Sequence, residues 1–271
     1  MTRIRLISAL LGAAVLAACS KDGVKSIAGP TAGTYIKFYN FGVNAPSVNF
    51  FANDAKMTAV SSTSCSPPAS PPDARCTSTG IESTTGTAYG SLGNAGLYSS
   101  IAPAQYSFTG RISATTDNGL AVAKLSSTLA DGKYYSLYQS GFYDANAKTV
   151  DAFILEDAFP AQIDFTTSSV RFVNASSNSN PMTLYAKNTV TGDSVAIGSS
   201  IAYKNGGAFL AVPGALYDLT ARYSGSNTGV IVRTGVSFSA SRVYTVSARG
   251  DMTVVSTTAT NRPFLDNTAN R

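Results

Sequence analysis

Apolar and polar residues alternate along most of this chain with a period of two. Tyr217-Asp218-Leu219-Thr220-Ala221-Arg222 and Tyr244-Thr245-Val246-Ser247-Ala248-Arg249 place apolar or aromatic side chains at one parity and polar ones at the other, the period of a half-buried strand. Turn-forming runs punctuate the pattern at Asp117-Asn118-Gly119, Asp131-Gly132, Asn205-Gly206-Gly207 and Ser224-Gly225-Ser226-Asn227. No window of a dozen residues beyond the amino-terminal segment carries a sustained helical stripe. The pattern therefore predicts an all-β protein of short antiparallel strands.

The strands come twice. Ile36-Lys37-Phe38-Tyr39-Asn40 matches Val170-Arg171-Phe172-Val173-Asn174, and Pro46 matches Pro181. The segment from Ala102-Pro103 through Tyr106 to Arg111 matches Val212-Pro213 through Tyr217 to Arg222. Lys133-Tyr134-Tyr135-Ser136-Leu137 matches Arg242-Val243-Tyr244-Thr245-Val246, with Gly141 answering Gly250. Matched residues lie 134 or 135 apart at the start and 109 to 111 apart later, so the first copy holds about 25 extra residues between Pro46 and Pro103. A duplication of this kind predicts two tandem β-sandwich modules, 34–165 with the insertion and 166–258, and a C-terminal tail, 259–271.

The opening Val170-Arg171-Phe172-Val173-Asn174-Ala175, the Pro181 before an alternating strand, Pro213-Gly214 leading to Tyr217, and Tyr244-Thr245-Val246 before a glycine resemble the bacterial domain of unknown function 4397. The resemblance covers nearly all of the second copy and most of the first. It implies immunoglobulin-like sandwiches of an exported protein, often in tandem. Asn44-Ala45-Pro46 and Asn180-Pro181 lack the acidic residue that typically precedes this proline, so no carboxylate ligand set carries over.

Composition and the amino terminus add location. Arg3 and Arg5 precede a short apolar run and then Leu16-Ala17-Ala18-Cys19, the layout of a signal peptide with a lipobox. Cleavage after residue 18 is expected to leave Cys19 lipidated, with 19–33 as a flexible tether. Several acyl chains on one residue give stable anchoring where a single chain does not. Ser20 rather than Asp follows the cysteine, which by resemblance to enterobacterial lipoprotein sorting implies the outer membrane of the cell envelope. The 18 remaining basic residues against 15 acidic ones are scattered singly, which is no nucleic-acid signature. Cys65 and Cys76 remain as an even pair in a proline-rich segment, and a disulfide between them is expected to staple the insertion.

The chain has no histidine, which removes the commonest general base and metal ligand. No Gly-x-Ser-x-Gly or phosphate-binding glycine loop occurs. Asp144-Ala145-Asn146-Ala147-Lys148 starts like a calcium loop but reads as a hairpin. Glu156 and Asp157 adjoin at the end of an apolar run and read as a solvated strand end, and Arg249-Gly250-Asp251 as a turn. The tyrosines around Tyr134, Tyr135, Tyr138 and Tyr143 read as packing residues. No catalytic residue, metal site or cofactor is expected. The expectation is a non-catalytic envelope lipoprotein that binds or spaces an envelope protein or glycan; the alternative is a carboxylate-dependent envelope enzyme such as a glycan hydrolase. Residues 34–165 hold seven basic and ten acidic residues and residues 166–271 nine and four, which suggests a side-by-side or gently bent pair of modules with a partly polar, salt-sensitive interface.

Overall fold

The computed structural model describes residues 33–58, 60–61, 76–77, 80–82 and 86–271. Cys19 and Cys65 lie outside the described residues, as does the side chain of Cys76, so the expected lipidation and disulfide fall beyond what can be described.

The first module comprises β1 (Thr34–Val43), β2 (Val48–Ala52), β3 (Ala55–Lys56), β4 (Val60–Ser61), β5 (Cys76–Thr77), β6 (Gly80–Glu82), β7 (Ser91–Leu92), β8 (Ser99–Ile101), β9 (Ala104–Ile112), β10 (Ala121–Leu129), β11 (Tyr134–Asp144) and β12 (Thr149–Glu156). One sheet runs β12-β11-β1-β7 with β8 also on β1, and the opposing sheet runs β10-β9-β2-β3. The insertion makes a small sheet of its own, β4-β6-β5. The second module repeats the plan with β13 (Thr167–Asn174), β14 (Met182–Asn188), β15 (Ser194–Ile201), β16 (Asn205–Gly206), β17 (Leu210–Pro213), β18 (Ala215–Tyr223), β19 (Gly229–Phe238), β20 (Val243–Arg249) and β21 (Phe264–Ala269). Its sheets run β16-β13-β20-β21, with β17 on β13, and β15-β14-β18-β19. The chain is thus an all-β pair of immunoglobulin-like sandwiches. Most ladders are antiparallel, but in each copy the opening strand lies parallel to the later one: β1 with β11, and β13 with β20.

Matched residues do matched work. Tyr106 and Tyr217 each donate a hydroxyl hydrogen bond to the carbonyl four residues back, Ala102 at 2.9 Å and Pro213 at 2.8 Å, a corner that pins the strand start in such sandwiches. Asn40 and Asn174 each accept from a backbone amide two residues on and donate to a distant carbonyl, Thr87 for Asn40 and Ile201 at the end of β15 for Asn174, closing the end of the opening strand. The 144–149 connection is the expected hairpin between β11 and β12.

The segment 259–271 is not a tail. Residues 264–269 pair with β20 along six register positions, and Leu265 is fully buried in the second core. Its counterpart in the first copy is β12. The hairpin that joins β11 to β12 is replaced by the longer connection 250–263, which hid the strand from a comparison of the two copies.

Each module has its own core, around Ile36, Phe38, Phe50, Phe108 and Leu137 in the first and Phe172, Leu184, Leu219, Phe238 and Val246 in the second. A third apolar cluster joins them, made of Tyr39, Phe41, Tyr138 and Phe153 with Val173 and Ala175. Strand β1 is consequently buried on both faces: Ile36 and Phe38 enter its own core while Lys37, Tyr39 and Phe41 face the other module. The two sheets carrying the parallel pairs therefore meet face to face.

Candidate functional site

The seam between these sheets contains the most unusual chemistry among the described residues. At its centre Tyr39 stacks on Tyr138 with ring centroids 4.3 Å apart, and Tyr138 stacks on Phe153 at 4.8 Å. Beside the stack lie three buried charges, Lys37, Asp157 and Arg171, each 2% exposed or less. Uncompensated charge at that depth costs several kcal/mol per ion, so the hydrogen bonds around them decide whether the seam holds.

Asp157 is fully engaged. Its Oδ1 pairs with Arg171 Nη2, and its Oδ2 accepts from Tyr98 Oη at 2.6 Å and Ser136 Oγ at 2.8 Å. Arg171 also donates to Thr245 Oγ1 at 3.0 Å and to the Glu156 carbonyl at 3.1 Å, and lies over the Phe209 ring. Lys37 donates to the Ala269 carbonyl at 3.3 Å and to Asn270 Oδ1 at 3.0 Å, with the Tyr98 ring 4.4 Å away. The duplication explains the layout. Lys37 and Arg171 are matched residues of β1 and β13, and the register of β12 on β11 and of β21 on β20 makes Glu156-Asp157 the counterpart of Ala269-Asn270. Each module thus sends its opening-strand cation into the other's final strand end, as an isologous interface does.

The electrostatics follow from two cations and one anion sharing a dry site. Burial holds Lys37 down at about 8, opposed by the attraction of Asp157 and aided by repulsion from Arg171. Burial also works against the charge of Arg171, but Asp157 and the surrounding tyrosines outweigh it and raise its pKa further. Burial, then the negative charge of Asp157, push the Tyr98 hydroxyl well above its usual range.

At the far end of the seam Arg249 pairs with Asp266 and lies over Tyr89, 5.0 Å from the ring centre, and Phe41, at 5.6 Å. Tyr203 reaches back to Ser140 at 2.9 Å, and Lys204 to Asp151 at 2.6 Å. Over the near end opens a cleft of about 270 Å³ lined by Lys133, Tyr134, Glu156, Asp157, Phe159 and Arg271.

The sequence-based reading of Glu156 and Asp157 as one solvated pair is half corrected. Glu156 is exposed and pairs with Lys133 at 2.8 Å, whereas Asp157 turns inward to the seam. Both border the near-end cleft, but each is committed to its own partners, Glu156 to Lys133 and Asp157 to Arg171, Tyr98 and Ser136, rather than to each other as an acid and base. Gly250 has φ +100°, and a Cβ there would sit 2.2 Å from the Arg262 carbonyl oxygen, so Arg249-Gly250-Asp251 is a turn whose arginine is committed to Asp266. Tyr134 stacks on Tyr35 at 4.6 Å and Tyr138 in the seam, in line with packing roles. Among the described residues no three His, Cys, Asp or Glu side chains gather.

Sequence reasoning missed Lys37 and Arg171. The available signal was their place: in both copies a single cation interrupts an apolar strand opening, Ile36-Lys37-Phe38 and Val170-Arg171-Phe172. A charge retained at the same buried strand position in both halves marks a surface covered by something other than water. Compared with known protein families and with curated proteins, the chain matches none, and its functional reading rests on the seam and the strand faces.

Proposed function

We propose that this chain is a non-catalytic bacterial cell-envelope lipoprotein, tethered through Cys19, that binds or spaces an envelope protein or glycan with two modules of the domain of unknown function 4397 type. The observation that supports it best is the seam. Buried charges and stacked rings join the sandwiches into one body, so their outer faces are held in a fixed relation, which is what a spacer or bivalent binding module needs. The lipobox supplies the attachment, and the outer membrane is the destination read from Ser20. The carboxylate-enzyme reading gains nothing from Glu156 and Asp157, since Asp157 is consumed by Arg171, Tyr98 and Ser136. Two measurements test the proposal. Cys19→Ala should move the protein out of the membrane fraction, and its persistence there would reject the anchor. The wild-type chain, solubilised and immobilised, should retain a component of an envelope extract; turnover of an envelope glycan panel would instead support the enzyme.

A further inference from the structure

The outward faces of the two modules carry the same pair of side chains, differently completed. On β2 and β9 Arg111 lies 4.3 Å over Phe51, and on β14 and β18 Arg222 lies 4.5 Å over Tyr185. The ladders match residue for residue: Phe51 faces Thr109 and Tyr185 faces Thr220. In the first module the guanidinium is satisfied from within the chain. Arg111 Nη2 pairs with Asp54 at 2.7 Å and donates to the Asn53 carbonyl at 3.3 Å, and Nε donates to Thr109 Oγ1 at 3.1 Å. In the second module β14 continues where β2 turns into β3, and the positions corresponding to Asn53-Asp54 are Lys187-Asn188. No carboxylate reaches Arg222 among the described residues. Its Nε, whose counterpart in Arg111 is held by Thr109, is buried without a hydrogen-bond partner, so a ligand would meet the terminal Nη atoms, where Asp54 meets Arg111.

We propose that the face around Arg222 takes a carboxylate of a glycan in the slot that Asp54 fills for Arg111. Stacking fixes the guanidinium plane and leaves its donor edge for a fork-like contact with a carboxylate. Gly229 stands opposite Arg222 on β19 and brings no side chain to the row. Exposed Lys187 adds a second cation on the same face. The neighbours are the hydroxyls of Thr183, opposite Arg222, and Thr220, opposite Tyr185, with Ser194 beside Lys187. On an open sheet face such hydroxyls suit an extended chain of sugar hydroxyls more than an isolated ion. This rests on the binding reading above and names its ligand class.

The test is calorimetric titration of the full chain in detergent with an oligogalacturonate, a neutral glucan oligosaccharide and polyglutamate. Saturable binding of the oligogalacturonate is expected, weakened at least tenfold by Arg222→Gln and unchanged by Arg111→Gln. Should Arg222→Gln fail to fold, Arg222→Lys keeps the charge and stem but not the fork, and the same loss is expected. Absence of oligogalacturonate binding, equal binding by the Arg222 variants, or equally tight binding of glucan or polyglutamate overturns the proposal. An envelope component retained equally by wild type and Arg222→Gln would leave the binding function standing and remove only this site.

Discussion

At the scale of single residues the seam is governed by an imbalance of charge. Among the described residues Asp157 is the one carboxylate facing both Lys37 and Arg171, so Asp157→Asn leaves two buried cations without a counter-charge and should cost about 3–5 kcal/mol. Arg171→Met removes one of the two cations and leaves Asp157 with Lys37, Ser136 and Tyr98, so it should cost less. The double variant should lose less than the two single losses combined. Denaturant titration of the three proteins checks the order; Arg171→Met at or above Asp157→Asn contradicts it. Lys37 adds a pH dependence with a definite sign. Its folded value is about 8 against 10.5 as the reference, so from pH 8 upward the unfolded chain holds the proton that the folded one has released, and stability rises. The gain is roughly 1–3 kcal/mol by pH 10, at about 1.4 kcal/mol per pH unit of separation. Above that the raised tyrosines Tyr39, Tyr98 and Tyr138 reverse the trend, because they ionise first in the unfolded chain. Lys37→Met should remove the rise while changing stability little at pH 7. Parallel stability curves for wild type and Lys37→Met between pH 8 and 10 would count against this account.

At the scale of elements the final strand does two jobs. β21 completes the sheet beside β20, and its end supplies the Ala269 carbonyl and Asn270 to Lys37. Arg233 of β19 donates to the Leu265 carbonyl at 2.7 Å, which occupies part of the outer edge that a terminal strand would otherwise leave open. Leu265→Ala should therefore cost about 2–5 kcal/mol, the range for a buried leucine. It should also weaken hydrogen-exchange protection of the β20 amides. A change within about 0.5 kcal/mol, as for a surface residue, would mean that β21 is a tail after all. The sequence left this strand unread because Phe264-Leu265-Asp266-Asn267-Thr268-Ala269 is too mixed to show a clean alternation. Its counterpart β12 is reached in the first copy by a connection of a different length.

At the scale of the whole molecule, net charges of opposite sign suggested a polar, salt-sensitive contact between the modules. The contact has an aromatic centre, and its ion pair Arg171–Asp157 has side chains only 3% and 0% exposed. Mobile ions screen charges that face water and reach buried pairs much less. Small-angle scattering of a Cys19→Ala chain, made without the lipid, should thus give a radius of gyration unchanged between low and high salt. Expansion with salt would show that the exposed pairs, such as Lys204–Asp151, hold the modules together.

Much of the architecture was legible from local pattern alone. Period-two alternation pointed to the all-β class and matched segments to the duplication, because strand period depends on neighbours in the chain. The turn runs at 117–119 and 224–227 do join paired strands, whereas Asp131-Gly132 crosses between sheets and Asn205-Gly206 is itself strand β16 on β13. What lies on the outer side of a strand is different. Ile36-Lys37-Phe38-Tyr39 reads as a strand with a cation on its wet face, and nothing local says that this face is covered by a second sheet more than a hundred residues away. The parallel pairing of β1 with β11, the inward turn of Asp157, and the contrast between a filled Arg111 and an open Arg222 were decided only when distant strands came into register. Burial and hydrogen-bond partnership belong to the assembled surfaces and not to the residues that make them.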